Sequence, residues 1–386
     1  MVNKFFTFFL VLILLNFKSF GSNSTQVSVI TIGPYENELY SAFGHSGIRF
    51  WDSSNGIDYF YNYGIFDFDQ PNFYLNFLHG KLLYKVGKYN YKSAEAFYKS
   101  QNRFIKEQIL DIDDNDKMLL FKYLEKNVQP ENSTYLYNYI FNNCATKIRD
   151  VLISVFQERV EFKSEGEGMS FRGLMDLYLK KNQWGDLGID ICLGSSIDVE
   201  ASNLDQMYLP DYLFSGLEIA TLDNKKLVNE TLTYIPDYNE YKQSIFSPKL
   251  IFIIILLISI YISFRQIKYG LKYKYFDLIL FCGSGLIGLL IIYLWGFTDH
   301  LSKNNFNILW AFPINFILPF LFARETHKKW FIIYVIFYIA VLISLLILWN
   351  FIPQNLNQNV LIITLSMILR LASNIIYINR NEIIYS

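Results

Sequence analysis

Two side chains suited to act as a pair stand about a hundred residues apart: the imidazole of His45, in Gly44-His45-Ser46, and the thiol of Cys144, in Asn143-Cys144-Ala145-Thr146. A cysteine becomes a nucleophile as its thiolate, and a free thiol near pKa 8.5 is mostly protonated at neutral pH. A helix N-terminus and a neighbouring imidazole both lower that value, and Cys144 is expected to have the first and His45 to supply the second. The imidazole then needs a polar group to hold its tautomer. Asp58, Tyr61 and Asn62 are the candidates, and Asn62 comes first because an amide orients the ring without adding charge. Backbone amides at the head of the helix would serve as an oxyanion hole. Spacing alone does not distinguish this from a small buried cysteine and a packed histidine, which are the commoner fates of these residues.

The elements that must position the pair are legible. Residues 27–32 are rich in β-formers and end at Gly33-Pro34. The runs 44–51 and 57–63, joined through Ser53-Ser54-Asn55-Gly56, alternate as a β-hairpin, which puts His45, Gly47, Arg49 and Trp51 on one face. Residues 82–89 read as a further strand and 118–126 as a helix behind Asp113 and Asp114, with Pro130 beyond its end. The run 135–141 reads as an extended approach to Cys144. From there Ile148, Val151, Leu152 and Val155 follow a helical period, with Asn142 or Asn143 as cap. Residues 171–180 read as another helix, and 203–217 as an aromatic segment.

The apolar residues divide the chain. Residues 5–17, behind Lys4, suit the core of a secretory signal better than a full span, so residues 1–21 read as a signal peptide or, uncleaved, as an N-terminal anchor. Residues 22–248 mix polar and apolar positions as a globular domain does. Residues 249–386 hold about five spans: 250–264, 275–297, 308–322, 330–349 and 360–377. Pro313 and Pro319 interrupt the third, which is a span or a broken, re-entrant helix. Arg265, Lys268, Lys272 and Lys274, then Arg324, Lys328 and Lys329, mark the cytoplasmic loops, so the globular domain and the Asp299-His300 loop face outward. With 34 Lys+Arg against 35 Asp+Glu and no basic tract beyond these loops, a nucleic-acid partner is excluded. The three cysteines form no disulfide framework, no metal-ligand spacing occurs, and no phosphate loop or cofactor motif is present.

These motifs carry a resemblance. Gly44-His45-Ser46-x-Ile48-Arg49, Tyr61-Asn62-Tyr63-Gly64-Ile65-Phe66-Asp67-Phe68, Asn143-Cys144-Ala145-Thr146-x-Ile148-Arg149-Asp150 and the stretch 300–313 resemble the Lnb-type bacterial lipoprotein N-acyltransferases over most of the chain. The His-first, Cys-second order is similar to circularly permuted papain-like (NlpC/P60-like) folds. The resemblance therefore implies an α+β papain-like exported domain followed by an all-α multi-span membrane domain. The protein would lie in the bacterial inner membrane with its N-terminal domain in the periplasm. It implies a cysteine acyltransferase with no cofactor and no metal. Its partners would be a membrane phospholipid as acyl donor, a diacylated lipoprotein as acceptor, and the bilayer itself. Cys144 is the expected nucleophile, His45 its base and Asn62 the orienting group. Arg49 and Tyr63 in the motifs, and His300, Asn304, Asn307 and Trp310 at the outer membrane surface, are the expected substrate-binding residues. Two alternatives stay open from the residues alone: a membrane-tethered cysteine peptidase or amidase acting on cell-wall peptides, for which one anchor would suffice, and a non-enzymatic membrane sensor.

Overall fold

The computed structural model describes residues 25–35, 38–163, 168–236, 245–381 and 383–385; the expected signal, residues 1–21, lies outside them. Seven strands form one antiparallel sheet: β1 (Thr25–Ile32), β2 (His45–Asp52), β3 (Ile57–Ile65), β4 (Leu83–Asn90), β5 (Ile105–Leu110), β6 (Thr134–Leu136) and β7 (Val228–Tyr234). Their order is β7-β5-β1-β2-β3-β4-β6. The alternation read from the sequence decides which face each residue takes. Val27, Val29, Ile48, Phe50, Tyr61 and Tyr63 point to one face. There they form a core with Leu120 and Leu124 of α3 (Asp114–Asn127) and Ile148, Val151 and Leu152 of α4 (Cys144–Phe156). Burying each such side chain contributes about 1.5–3 kcal/mol. Ile30, Ile32, Phe60 and Ile105 point the other way and are covered by Tyr91 and Tyr98 of α2 (Tyr91–Ser100). The short α1 (Phe73–His79) lies between β3 and β4 in the chain.

Helices α5 (Phe171–Leu179), α6 (Gln183–Cys192) and α7 (Pro210–Ile219) complete this part of the chain. A smaller core beside them gathers Phe171, Leu174, Leu179, Ile197 and Leu209. The fully buried Arg172 of α5 pairs with Asp190 (2.6 Å) and Asp198 (2.8 Å).

Beyond it come α8 (Pro248–Tyr269), α9 (Lys274–Phe297), α10 (Leu318–Phe322), α11 (Lys329–Ile347) and α12 (Asn359–Asn381). Among the described residues four of these, α8, α9, α11 and α12, are long and apolar enough to cross a membrane. The third expected span is not a regular helix. The chain returns along α9 as the 3-10 turns Phe306–Leu309 and Pro313–Phe316 and then α10. Two glycines of α9 make room for it, since a Cβ on Gly288 would lie 1.8 Å from the Ala311 carbonyl oxygen and one on Gly285 2.3 Å from the Phe316 nitrogen. Breaking a helix in lipid frees backbone groups that must be satisfied internally. Buried Asn315 does this, donating to the Trp310 carbonyl (3.1 Å), and the Tyr338 hydroxyl donates to the same carbonyl (2.7 Å). Arg370, within α12, is fully buried and paired with Asp277 (2.7 Å), with Ser263, Ser373 and Gln266 taking its remaining donors. Its charge thus faces the helix bundle and not lipid.

The two parts are fastened together by side-chain amides. Asn305 donates to the Ile191 carbonyl (2.8 Å), Asn307 to that of Asp190 (2.8 Å) and Gln354 to that of Leu193 (2.9 Å), while Asn357 reaches the carboxylates of Asp186 and Asp190 (each 3.0 Å). At Gly194 the contact is so close that a Cβ would lie 1.9 Å from the Lys303 carbonyl oxygen.

Candidate active site

Asn143 explains why a cysteine stands where it does. It caps α4 from an extended conformation, its oxygen accepting from the amides of Ala145 (2.9 Å) and Thr146 (3.0 Å). Thr146 Oγ1 accepts from the Asn143 amide in return (2.8 Å), closing a capping box. The Asn143 side-chain nitrogen donates to the carbonyls of Tyr139 (2.9 Å) and Tyr208 (2.8 Å), so the whole cap is locked to its surroundings. Cys144 is the first residue of the helix. The amides of Ser46, Ala145 and Cys144 itself face its sulfur.

His45 opens β2, and Gly44 before it takes φ +83°, where a Cβ would also crowd the Ile32 carbonyl oxygen at 2.8 Å. Register pairs Gly47 with Asn62, which places His45 and Asn62 on the same face. The ladder between β3 and β4 is irregular between Asn62 and Ile65, a bulge of the kind that re-aims side chains. His45 Nε2 lies 2.6 Å from Asn62 Oδ1. The other end of the amide lies against the Tyr98 hydroxyl. With its nitrogen turned to Tyr98, the amide presents oxygen to the ring. Nε2 therefore carries the proton and Nδ1 the lone pair.

His45 and Asn62 come from one face of the sheet and Cys144 from the helix on the other. They meet where β2 and β3 part, beside Gly64, whose missing Cβ would sit 3.8 Å from that of Cys144. All three line one cavity of about 590 Å³. Among the described residues no hydrogen bond joins the imidazole to the sulfur in this resting arrangement, in which the sulfur faces amides and Nε2 faces Asn62.

The electrostatics differ from the sequence expectation of a thiol lowered by its helix and its histidine. Burial pushes the Cys144 thiol up, against the opposing pull of the three amides and of Arg103. Burial likewise lowers His45 to about 4; the Asn62 bond opposes this and the Arg103 charge adds to it. The resting pair is a neutral thiol and a neutral imidazole. A pair of this kind is activated by proton transfer during attack, with no standing thiolate.

Arg103, Tyr98 and Tyr137 are site residues that sequence reasoning missed; all three line the cavity. Arg103 is 4% exposed, its Nε donating to the Gly33 carbonyl (2.5 Å) and Nη1 to Gln101 Oε1 (3.2 Å), while Nη2 has no hydrogen-bond partner among the described residues. Nothing local in Asn102-Arg103-Phe104 marks it, since it reaches the site through the fold, at the turn between α2 and β5.

Of the expected substrate-binding residues, His300 lines the cavity; Arg49, Tyr63, Asn304, Asn307 and Trp310 do not. Arg49 is spent on Asp58 (2.8 Å), Glu107 (3.1 Å) and the Tyr91 ring (3.9 Å). That also removes Asp58 from contention as the group that orients His45. Tyr63 is buried in the core on the α4 side, its hydroxyl donating to Asn127 (3.3 Å). Asn307 joins the two parts of the chain and accepts from the Trp310 indole (2.9 Å); Asn304 lies exposed at φ +54°. Polar residues at an outer membrane surface are needed for docking as much as for binding, and their types alone do not separate the two.

Away from the cavity, Asp176, Asp186 and Asp190 hold carboxylate oxygens within 4.8 Å of one another. Arg172 and Asn357 already occupy Asp190, and burial with mutual repulsion pushes Asp176 up to about 7 and Asp186 to about 6.

Residues 17–176 match the family model described as the Lnb N-terminal periplasmic domain, and residues 240–382 match the one described as the Lnb transmembrane domain. The chain belongs to the Lnb family. This Lnb protein is a multi-pass membrane protein with a periplasmic N-terminal domain. No curated protein and no solved structure matches it. The Lnb periplasmic match includes both His45 and Cys144, and the Lnb transmembrane match includes the loop that brings His300 to the cavity.

Proposed function

We propose that this protein is a lipoprotein N-acyltransferase that works through a thioester on Cys144. The observation that carries the reading is the single cavity. Its walls include Cys144, His45 and Asn62 together with Asp299 and His300 of the outer loop of the membrane domain. A soluble-substrate hydrolase has no use for such a wall, whereas a donor and an acceptor that both live in the bilayer require one.

In the first half-reaction the thiol proton passes to His45 Nδ1 as sulfur bonds to the ester carbonyl carbon of a phospholipid. The amides at the head of α4 and the Arg103 charge favour the negative charge that develops. The ester C–O bond then breaks, His45 returns the proton to the glycerol oxygen, and lysophospholipid departs. In the second, the free α-amine of a diacylglyceryl-cysteine lipoprotein attacks the thioester. Its proton passes through His45 to the departing sulfur, leaving an amide and the original thiol. The thioester keeps acyl-transfer potential between two accessible steps.

The test incubates purified protein with radiolabelled phospholipid, with and without a diacylated lipopeptide. A hydroxylamine-sensitive adduct that forms on the wild type, is absent from Cys144→Ala, and is discharged by the lipopeptide as an amide supports the reading. Discharge by water alone, or no adduct at all, overturns it. The first result would favour a hydrolase and the second a sensor.

A further inference from the structure

Helix α1 is a place where this chain exposes apolar side chains that none of the described residues covers. Tyr74 is 78% exposed, Leu75 50% and Phe77 57%, and Phe68 just before the helix is 63% exposed. Residues 70–80 contain no Asp, Glu, Lys or Arg. In water such a cluster is an anomaly, and its surroundings give it another solvent. The Asp299 amide donates to the His79 carbonyl (2.9 Å), and His300 Nε2 lies 3.1 Å from the Phe77 carbonyl. The His79 ring packs against Tyr293 with centroids 6.2 Å apart. Tyr293 lies about one turn before the outer end of α9, which ends at Phe297, and Asp299 lies just past it, so the C-terminal end of α1 sits at the level of that end. The exposed Trp295 and Phe297 mark the same level as the aromatic belt of the outer leaflet.

We propose that residues 70–80 lie within the outer leaflet of the bilayer, and that the side of the cavity lined jointly by α1 and the Asp299-His300 loop is a lateral portal through which a phospholipid acyl chain passes. Phe77 belongs to both surfaces, more than half exposed on one side and lining the cavity on the other. Gly80 ends the helix at φ +70°, where a Cβ would come within 3.2 Å of the His300 nitrogen; its absence lets the loop close against the helix and frame the opening. An interfacial helix of this kind lies in the plane of the membrane with its apolar side toward the acyl region.

Insertion stands apart from the transfer reaction, while the portal rests on the reading of the cavity as an acyl site; photolabelling needs no turnover, so the two fail separately. Full-length protein carrying Cys144→Ala is placed in phosphatidylethanolamine–phosphatidylglycerol vesicles doped with a phospholipid bearing a diazirine near its acyl terminus. Adducts are then mapped by mass spectrometry. Labelling of residues 73–78 at a level comparable to α9 and α11, with the turn 53–56 clean, supports insertion; residues 73–78 as clean as that turn overturn it. Adducts on the cavity residues Phe66 or Tyr84 support the portal. A cavity that stays unlabelled while α1 is labelled overturns it. Leu75→Asp with Tyr74→Asp, two exposed positions, is expected to reduce the α1 adducts several-fold and leave those on α9 unchanged.

Discussion

Under the proposed thioester mechanism, the low proton affinity of His45 makes the acid limb of acyl-enzyme formation a direct reading of the site. With its pKa held near 4 by burial, the ring is the free base at pH 5.5 by about 30 to 1, whereas an imidazole near 6.5 would be protonated by about 10 to 1. The sign follows from burial: the cation is the disfavoured form, so base function persists down to about pH 4 and is lost below it. Replacing Asn62 by Asp puts a carboxylate at the position now 2.6 Å from Nε2. An opposite charge at that range raises a partner's pKa by roughly 1–3 units, moving the limb to about pH 5–7 and suppressing the reaction at pH 5.5. Asn62→Ala removes the bond that raises the ring's pKa, so its limb stays at or below that of wild type. Its rate falls about tenfold for the lost hydrogen bond that fixes the tautomer. Rapid-quench measurement of adduct formation from labelled phospholipid between pH 3.5 and 8 separates these effects. A wild-type limb near 6.5, or an Asn62→Asp limb that does not move, would refute a neutral resting imidazole oriented by Asn62.

Three further outcomes are expected. Arg103→Gln removes a charge that favours the thiolate, so the pH profile of Cys144 alkylation by iodoacetamide moves to higher pH and labelling near pH 8 slows several-fold; an unchanged profile contradicts the assigned field. Gly194→Ala, which would place a Cβ 1.9 Å from the Lys303 carbonyl oxygen, is expected to cost about 1–3 kcal/mol or more and to lower the thermal midpoint of the detergent-solubilised protein. Arg370→Met strands Asp277 within the membrane bundle at a cost of about 3–5 kcal/mol, and Arg370→Met with Asp277→Leu recovers most of it in the same melting assay.

The hairpin bearing His45 and Asn62 was legible because period-two alternation and the Ser53-Ser54-Asn55-Gly56 turn agree, and the head of α4 because the asparagines at 142 and 143 stand directly before a helical period of apolar residues. Both are local signals. Strand β5, helix α2 and strand β7 had none of comparable strength: residues 105–110 alternate weakly, and β7 earns its place only by pairing with β5 more than a hundred residues away. Arg49 shows the converse limit. Its position on the His45 face is correct by alternation, yet its partners Glu107 and Tyr91 arrive from other elements and occupy it fully. The direction of the Cys144 shift was misjudged for a related reason. A helix terminus is visible in sequence, but the depth of burial that outweighs it is a property of the whole fold.

The amide clasp from Asn305, Asn307, Gln354 and Asn357 onto α6 and the residues after it has a practical corollary. Severed near Pro248, the water-soluble half would present Asp186, Asp190 and the bare carbonyls of Ile191 and Leu193 with no counterpart, and would also forfeit the Asp299-His300 wall. The membrane half is thus less a tether than one of the walls of the cavity that holds Cys144. Truncated preparations would report on a different, unfinished object.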